Sequence, residues 1–139
     1  FLNLMKNIKK ITIKSFFKKS GKLTPFSFTD KFPMTVKRVY FIKAKINTIR
    51  GDHAHKKCSQ FFYPISGSME LIIKTDKINK TILLKETSNY GVLVPPLYWC
   101  GVKFLNEKSI LMVANDKLYQ FSDYIEKFSD YIKYINKKK

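Results

Sequence analysis

An all-β barrel or sandwich, followed by a C-terminal amphipathic helix, is the fold that this sequence predicts. Short apolar segments rich in Val, Ile, Tyr and Phe recur between turn residues along most of the chain. Near Leu118 the pattern changes, and apolar residues then recur at spacings of three and four. With 139 residues, 45% of them hydrophobic, the chain can bury the core of one domain. We therefore expect residues 1–139 to form a single domain.

The first predicted elements lie before the middle of the chain. Residues 8–17 mix β-branched and aromatic side chains with lysines, which predicts an early strand or arm within residues 1–20. Residues 36–42 form a second apolar run and predict a strand. Because side chains alternate along a strand, Arg38, Tyr40 and Ile42 should share one face.

The central part of the chain contains the remaining predicted strands. Two of them, residues 69–74 and 80–84, should pair as a hairpin around the turn at residues 76–79. The others are residues 49–55, 60–65, 90–94, 99–104 and 109–114.

The predicted helix covers residues 118–136. Its apolar residues recur with helical spacing, and the pentapeptide at 121–125, Phe-Ser-Asp-Tyr-Ile, is repeated at 128–132. Two copies are too few for a coiled coil, so the helix should pack on the barrel.

The strongly basic composition does not by itself indicate a nucleic-acid partner. The formal net charge is +17, but only two of the 27 basic residues, Arg38 and Arg50, are arginines, and the lysines are dispersed. Nucleic-acid binders usually cluster their charge and use arginine for bidentate contacts. Arg38 and Arg50 are instead candidates for phosphate or carboxylate contacts.

The N-terminal composition and the cysteines bear on localisation. Residues 1–14 have scattered lysines and no long apolar run, so we expect no signal peptide, no membrane segment and a cytoplasmic protein. Cys58 and Cys100 are too few for a disulfide framework and lack metal-ligand spacing.

The segment Arg50-Gly51-Asp52-His53-Ala54-His55-Lys56 contains both histidines of the protein. On a strand, His53 and His55 should point to the same face. Any imidazole chemistry must therefore occur here.

This spacing resembles the cupin superfamily, the double-stranded β-helix or jelly-roll barrel. His-x-His, then Gln60 and Gly67, resembles the first cupin motif, which usually has Glu at the Gln60 position. Gly91 and Pro95 resemble the second motif, but Tyr98-Trp99 stands where a further histidine is normal. A cupin metal site needs about four N or O ligands, so two imidazoles and one amide predict no metal cofactor.

A larger set of motifs resembles the sugar nucleotide 3,4-ketoisomerases. It comprises Arg38-Val39-Tyr40, the His segment, Gln60, Ser66-Gly67-Ser68, Pro95-Pro96-x-x-Trp99 and Tyr119-x-x-x-Asp123-Tyr124-Ile125. The resemblance implies a cofactor-free enzyme that converts dTDP-4-keto-6-deoxyglucose to the 3-keto sugar, which an aminotransferase then uses on the way to a surface polysaccharide or glycoprotein. It also implies a homodimer with an exchanged N-terminal strand, for which residues 8–17 are the candidate.

Moving a ketone from C4 to C3 requires proton transfer, for which histidine is suited near neutral pH. We expect His53 or His55 to be the base at C3, with His53 favoured, and the other imidazole or Tyr40 to handle the second proton. Arg50 is the candidate for the oxyanion or the diphosphate, and Arg38 is its alternative.

Several candidate residues have a structural interpretation as well. Tyr98 or Trp99 could stack on the sugar or on thymine, and Trp99 is equally a core candidate. Gln60 should orient an imidazole or pair across the barrel, and Tyr40 could be a packing residue. Tyr119, Asp123 and Tyr124 are interpreted as anchors of the helix.

Three other functions remain open at this point. A noncatalytic cupin would bind a sugar nucleotide without turnover. A 3,5-epimerase would exchange protons at C3 and C5 without moving the ketone. A nucleic-acid binder would lose affinity steeply with salt.

Overall fold

Two five-stranded antiparallel sheets face each other in the computed structural model, which describes residues 7–139. The first sheet has the order β1-β9-β6-β11-β4 and the second β12-β5-β10-β7-β8. The small hairpin β2-β3 lies apart from both. The strands are β1 Lys9–Thr12, β2 Phe16–Lys18, β3 Gly21–Leu23, β4 Arg38–Lys43, β5 Ile49–His55, β6 Gln60–Ser66, β7 Ser68–Lys74, β8 Asn79–Lys85, β9 Tyr90–Val94, β10 Trp99–Phe104, β11 Ile110–Asn115 and β12 Tyr124–Ile125.

The core lies between the two sheets because inward residues alternate with outward ones along each strand. On β10, Cys100, Val102 and Phe104 face this interior, whereas Trp99 is part of a separate outer cluster. The outer face of the first sheet is covered by apolar residues of the segment before β4, including Phe26, Phe28 and Phe32. This arrangement confirms the predicted all-β barrel.

The predicted hairpin is present as β7 and β8, which pair from Ser68 with Lys85 to Lys74 with Asn79. The turn before it, at Gly67, requires glycine for two reasons. Its φ is +73°, and a Cβ there would lie 2.8 Å from the Cα of Ser109. The close approach of β6 and β7 to the β10-β11 turn depends on this glycine.

The helix is shorter than predicted. The single α-helix of the described residues, α1, covers Phe128–Lys137, so the prediction of a helix over 118–136 is wrong for its first ten residues. Those residues form a 3₁₀ turn at Phe121–Asp123 followed by β12, which pairs with the free edge of β5. Helix α1 then buries Tyr131 and Ile135 against the outer face of the second sheet.

The N-terminal strand is also shorter than predicted, and residues 1–6 of the predicted arm lie outside the described residues. Strand β1 pairs antiparallel with β9 of its own chain, from Lys9 with Leu93 to Thr12 with Tyr90. Within this chain β1 therefore forms the edge of the first sheet, and the exchanged strand stays a prediction. Among residues 7–139, no helix has the length and apolar character needed to span a bilayer.

Candidate active site

A β-bulge in β5 determines which residues of the His segment face the barrel interior. Opposite β10, His53 pairs with Cys100 and Gly51 pairs with Gly101, which leaves Asp52 without a partner. Gly51 and Asp52 both have positive φ, +82° and +55°. The extra residue shifts the alternation by one, so Arg50 lies on the same face as His53.

Arg50 and His53 line a small cavity between the two sheets, with a volume of about 30 Å³. Tyr40 and Gln60 reach it from the first sheet, and apolar residues such as Phe62 and Val113 close its floor. This volume holds about one water molecule and is well below that of a small-molecule pocket, so the cavity is the inner end of a site and does not enclose a whole sugar.

The two imidazole rings are neighbours, with centroids 5.0 Å apart. His53 Nδ1 lies 3.0 Å from the carbonyl oxygen of Gly51, and His55 Nδ1 lies 2.8 Å from Asp123 Oδ2. A carbonyl and a carboxylate only accept, so each Nδ1 carries the proton when the ring is neutral. Nε2 of each ring is then the basic atom, and Nε2 of His55 is buried without a partner among the described residues.

Asp123 and Tyr124 belong to this site, although the sequence was interpreted as giving them only a structural role. Asp123 holds His55 through Oδ2 and the backbone N–H of Lys57 through Oδ1, at 2.7 Å. The ring of Tyr124 packs on both imidazoles, with centroids 4.8 Å from His53 and 4.4 Å from His55. Their contact with the histidines was missed because a helix over 118–136 would have turned them away from β5.

Burial lowers the pKa of both histidines. The pKa of His53 falls to about 4, mainly by burial and further by the neighbouring His55. Burial also lowers the pKa of His55, although the hydrogen bond and the charge of Asp123 oppose this shift. Both rings are therefore neutral at pH 7 and able to accept a proton.

Tyr40 is a proton donor in this environment. Burial, and then the nearby Tyr124, raise its pKa to about 12, so its hydroxyl stays protonated. The amide of Gln60 donates to this hydroxyl at 3.2 Å and to Asn115 Oδ1 at 3.3 Å. Gln60 thus orients Tyr40, and no contact with an imidazole supports the role expected from the sequence.

Arg38 and Tyr98, the remaining candidates for substrate contacts, are not among the residues that line the cavity. The guanidinium of Arg38 lies between the rings of Tyr40 and Tyr119, 4.7 and 5.3 Å from their centroids. Tyr98 is half-buried and packs against the interior core, but it is not among the residues that line the cavity.

Trp99 lies outside the site. It is 4% exposed, faces α1 and donates from Nε1 to Asp52 Oδ1 at 2.8 Å. Of its two expected roles, core residue and ligand wall, the structure supports the first, since strand alternation places it on the face opposite Cys100.

The residues do not fit a cupin metal centre. The amide nitrogen of Gln60 is bonded to Tyr40 and Asn115, and Tyr98 replaces the further histidine. Of the described residues, His55, Cys58 and Asp123 are the group with donor atoms close enough to hold a metal, all within 4.8 Å. His55 and Asp123 instead share a hydrogen bond, and burial raises the pKa of the Cys58 thiol to about 11.

Comparisons with known proteins agree with this geometry. Residues 6–136 match the family model described as "FdtA: WxcM-like, C-terminal". The chain is 31% identical over 130 residues to the TDP-4-oxo-6-deoxy-alpha-D-glucose-3,4-oxoisomerase of Aneurinibacillus thermoaerophilus, covering 93% of each chain.

Solved structures give the same result. QdtA, a sugar 3,4-ketoisomerase from Thermoanaerobacterium thermosaccharolyticum in complex with TDP, is 32% identical, with a TM-score of 0.87 and 95% and 96% of the two chains covered. A histidine-to-asparagine mutant of QdtA in complex with TDP-4-keto-6-deoxyglucose gives a TM-score of 0.86. The 4-keto-6-deoxy sugar epimerase NovW of Streptomyces spheroides, at 12% identity and a TM-score of 0.76, shares the fold.

The family model covers nearly the whole chain and the curated relative exceeds 30% identity, so two independent comparisons agree. The cupin-like barrel and the His-x-His strand are consistent with both. This chain belongs to the FdtA, WxcM-like C-terminal family.

Proposed function

We propose that this chain is a sugar nucleotide 3,4-ketoisomerase that converts dTDP-4-keto-6-deoxy-D-glucose to a dTDP-3-keto-6-deoxyhexose. The relatives named above support the reaction and the substrate class. The observation that carries the proposal is the His pair, in which each Nδ1 is held by an acceptor and each Nε2 keeps a free lone pair.

The reaction is an internal redox exchange and needs no external electron carrier. Removal of the C3 proton leaves an electron pair that forms the C3=C4 bond, while the C4 carbonyl becomes a hydroxyl. Loss of the proton from O3 then forms the C3 carbonyl, and the C3=C4 pair takes a proton at C4. The protein must supply a base, a proton carrier and stabilisation of the enediolate oxygen.

His53 is the proposed base at C3. It lines the cavity, and its Nδ1–H is committed to the carbonyl oxygen of Gly51. Its Nε2 is therefore the atom that takes the proton. Proximity to His55 disfavours a second charge, so the pair carries one proton at a time.

His55 is the proposed proton carrier, with Asp123 as its positioning residue. The carboxylate holds Nδ1–H and stabilises the imidazolium that forms when Nε2 accepts a proton. The ring of Tyr124 keeps the two imidazoles in contact and excludes water from them.

Tyr40 and Arg50 are the proposed partners of the developing negative charge. Tyr40 is protonated, and Gln60 donates to its oxygen, so the hydroxyl keeps a proton that it can donate to the substrate. Arg50 brings a positive charge to the same cavity, where the enediolate oxygen or the diphosphate can be bound. Arg38 is the alternative diphosphate contact, and Tyr98 is the remaining candidate for a stacking wall.

The wider setting is also part of the proposal. A cytoplasmic homodimer fits the family resemblance, and its 3-keto product fits an aminotransferase that makes a 3-amino-3,6-dideoxyhexose for a surface polysaccharide such as lipopolysaccharide. Neither nucleic acid nor a membrane has a role in this account.

Two variants, His53→Asn and His55→Asn, test the proposal. Asparagine keeps a polar side chain but cannot carry the proton, so turnover of dTDP-4-keto-6-deoxyglucose should fall about a hundredfold or more in at least one variant. Affinity for dTDP, measured by calorimetry, should change little. Lys133→Asn on the exposed face of α1 is the control and should keep full turnover. Unchanged turnover in both histidine variants would remove the assignment.

A further inference from the structure

Asp52 is outside the chemistry described above, yet the structure gives it a specific task. It is the unpaired residue of the β5 bulge and has a φ of +55°, which is costly for a residue with a Cβ. Its Oδ1 accepts a hydrogen bond from Trp99 Nε1 at 2.8 Å. This bond links the exposed side chain of the bulge residue to the buried indole of the neighbouring strand.

The partner of this hydrogen bond is itself immobilised by the C-terminal helix. Trp99 packs against Phe128 and Tyr131, with ring centroids 5.3 and 5.8 Å away. The hydroxyl of Tyr131 donates to the carbonyl oxygen of Leu97 at 2.9 Å. The backbone N–H of Leu97 in turn donates to the carbonyl oxygen of His55 at 2.8 Å. Helix α1 thus supports the His strand at the bulge and at its C-terminal end.

The space for this contact comes from the facing strand. Gly101 lies opposite the bulge, and a Cβ there would stand 3.4 Å from Asp52 Oδ1 and 3.1 Å from Ile49. Glycine at position 101 therefore keeps the surroundings of the bond between Asp52 and Trp99 uncrowded, mainly by avoiding a tight contact with Ile49.

We propose that Asp52, through its hydrogen bond to Trp99, is the positioning residue that fixes the bulge and thereby keeps Arg50 and His53 on the cavity face. Without the bulge, strand alternation would place Arg50 on the face opposite His53. The inference deepens the proposed function and rests on it for its kinetic readout.

The decisive pair of variants is Asp52→Asn and Asp52→Gly. Asparagine tolerates positive φ and keeps the oxygen that accepts from Trp99, so kcat/KM should stay within about threefold of the parent. Glycine also tolerates positive φ but removes the acceptor, so kcat/KM should fall about tenfold or more, with KM raised through Arg50 and kcat lowered through His53.

A matched control separates this effect from a general loss of stability. Asn47, at φ +65° in the turn before β5, is another non-glycine residue with positive φ, and Asn47→Gly should leave both kinetic constants unchanged. Trp99→Phe removes the donor of the same hydrogen bond. The double variant Asp52→Gly/Trp99→Phe should therefore have a kcat/KM no lower than that of either single variant.

The outcomes distinguish this inference from the proposed function. An inactive parent would refute the proposed function, and the positioning role would then be read from dTDP affinity and from the side-chain NMR signals of Arg50 and His53. Those signals should move in Asp52→Gly and stay in place in Asp52→Asn. If Asp52→Gly keeps parental kcat/KM, or Asp52→Asn is impaired equally, the hydrogen bond does not position the site and the inference is wrong.

Discussion

The same pentapeptide, Phe-Ser-Asp-Tyr-Ile, occurs twice in this chain at an offset of seven residues and adopts two different structures. Its first copy, residues 121–125, is a 3₁₀ turn followed by a strand, and its second copy, residues 128–132, begins helix α1. Phe121 is 66% exposed, whereas Phe128, at the same position of the second copy, is 39% exposed. Local sequence therefore does not decide between the two structures.

The difference comes from what each copy meets. The first copy lies beside the free edge of β5, where Tyr124 and Ile125 pair with His55 and Ala54 and the Asp123 carbonyl accepts from the N–H of Lys56. The second copy lies beyond that edge and meets only the apolar outer face of the sheet. An amphipathic helix is the solution that satisfies its backbone and buries Tyr131.

The comparison assigns different tasks to equivalent residues. Asp123 holds a histidine, whereas Asp130 lies in the first turn of α1 with an exposed side chain. Tyr124 packs on the imidazoles, whereas Tyr131 anchors the helix through Leu97 and Lys74. Matched substitutions in the two copies can therefore separate catalysis from stability.

The largest expected difference is between Asp123→Asn and Asp130→Asn. The amide at position 123 can donate to His55 Nδ1 and favour the tautomer that has its proton on Nε2, so we expect kcat to fall about a hundredfold. The same change at position 130 should leave kcat within about twofold. Steady-state kinetics of the two variants measure this, and equal effects would contradict the different tasks of the two copies.

The second expected effect is a pH dependence of stability that originates at the His pair beside the first copy. The pKa of His53 is about 4 in the folded protein and about 6.5 when unfolded, so the unfolded state binds more protons between these values. The free energy of unfolding should therefore fall, by about 1–3 kcal/mol, as pH drops from 6.5 to 4.

Urea unfolding across this pH range measures the effect. His53→Asn removes the titrating ring and should flatten the profile, while the lowered pKa of His55 leaves a smaller slope. A parental slope that is unchanged in His53→Asn would contradict the burial of this ring in its neutral form.

For the tyrosines, the substitution in the second copy should have the larger effect, and the effect should be on stability. Tyr131→Phe leaves the carbonyl oxygens of Leu97 and Lys74 without their side-chain donor, which should lower the free energy of unfolding by about 1–3 kcal/mol. Tyr124→Phe keeps the ring contacts and should change stability by less than about 0.5 kcal/mol. Denaturant unfolding at pH 7 compares them, and equal losses would argue against Tyr131 as the anchor.

The smallest effect concerns the start of the second copy. Lys127 is the N-cap of α1 and makes no side-chain capping bond, so Lys127→Asp should stabilise the helix by about 0.5–1 kcal/mol. Lys137→Asp in the last turn places the same charge at the wrong end and should destabilise slightly. A gain in both variants would indicate a general charge effect in this basic protein.

These two copies also show where sequence-based prediction succeeded and where it failed. The strands from residue 38 to 115 and the shared face of Arg38, Tyr40 and Ile42 followed from local alternation. The heptad spacing correctly predicted a helix at Tyr131 and Ile135 but wrongly extended it to Leu118. Residues 121–125 form a turn and a strand because they pair with the free edge of β5, which is far away in the sequence and is not visible in local spacing.

In the candidate site, too, local sequence predicted some features, whereas others depend on long-range contacts. The segment from Arg50 to His55 was identified from its residue types, and the common face of the two histidines followed from period two. The placement of Arg50 on that face depends on the bulge, which needs the contact between Asp52 and Trp99. Asp123 was not predicted to touch His55 because 68 residues separate them in the chain.

The most direct test of the account is proton NMR of dTDP-4-keto-6-deoxyglucose incubated with the protein in deuterated buffer containing a chelator. We expect the C3 proton signal to disappear as a 3-keto sugar forms with deuterium at C4, because the transferred proton exchanges on the histidines. Exchange at C3 and C5 with the ketone still at C4 would indicate an epimerase. An unchanged substrate that still binds, seen as line broadening or a raised melting temperature, would contradict catalysis by the His pair.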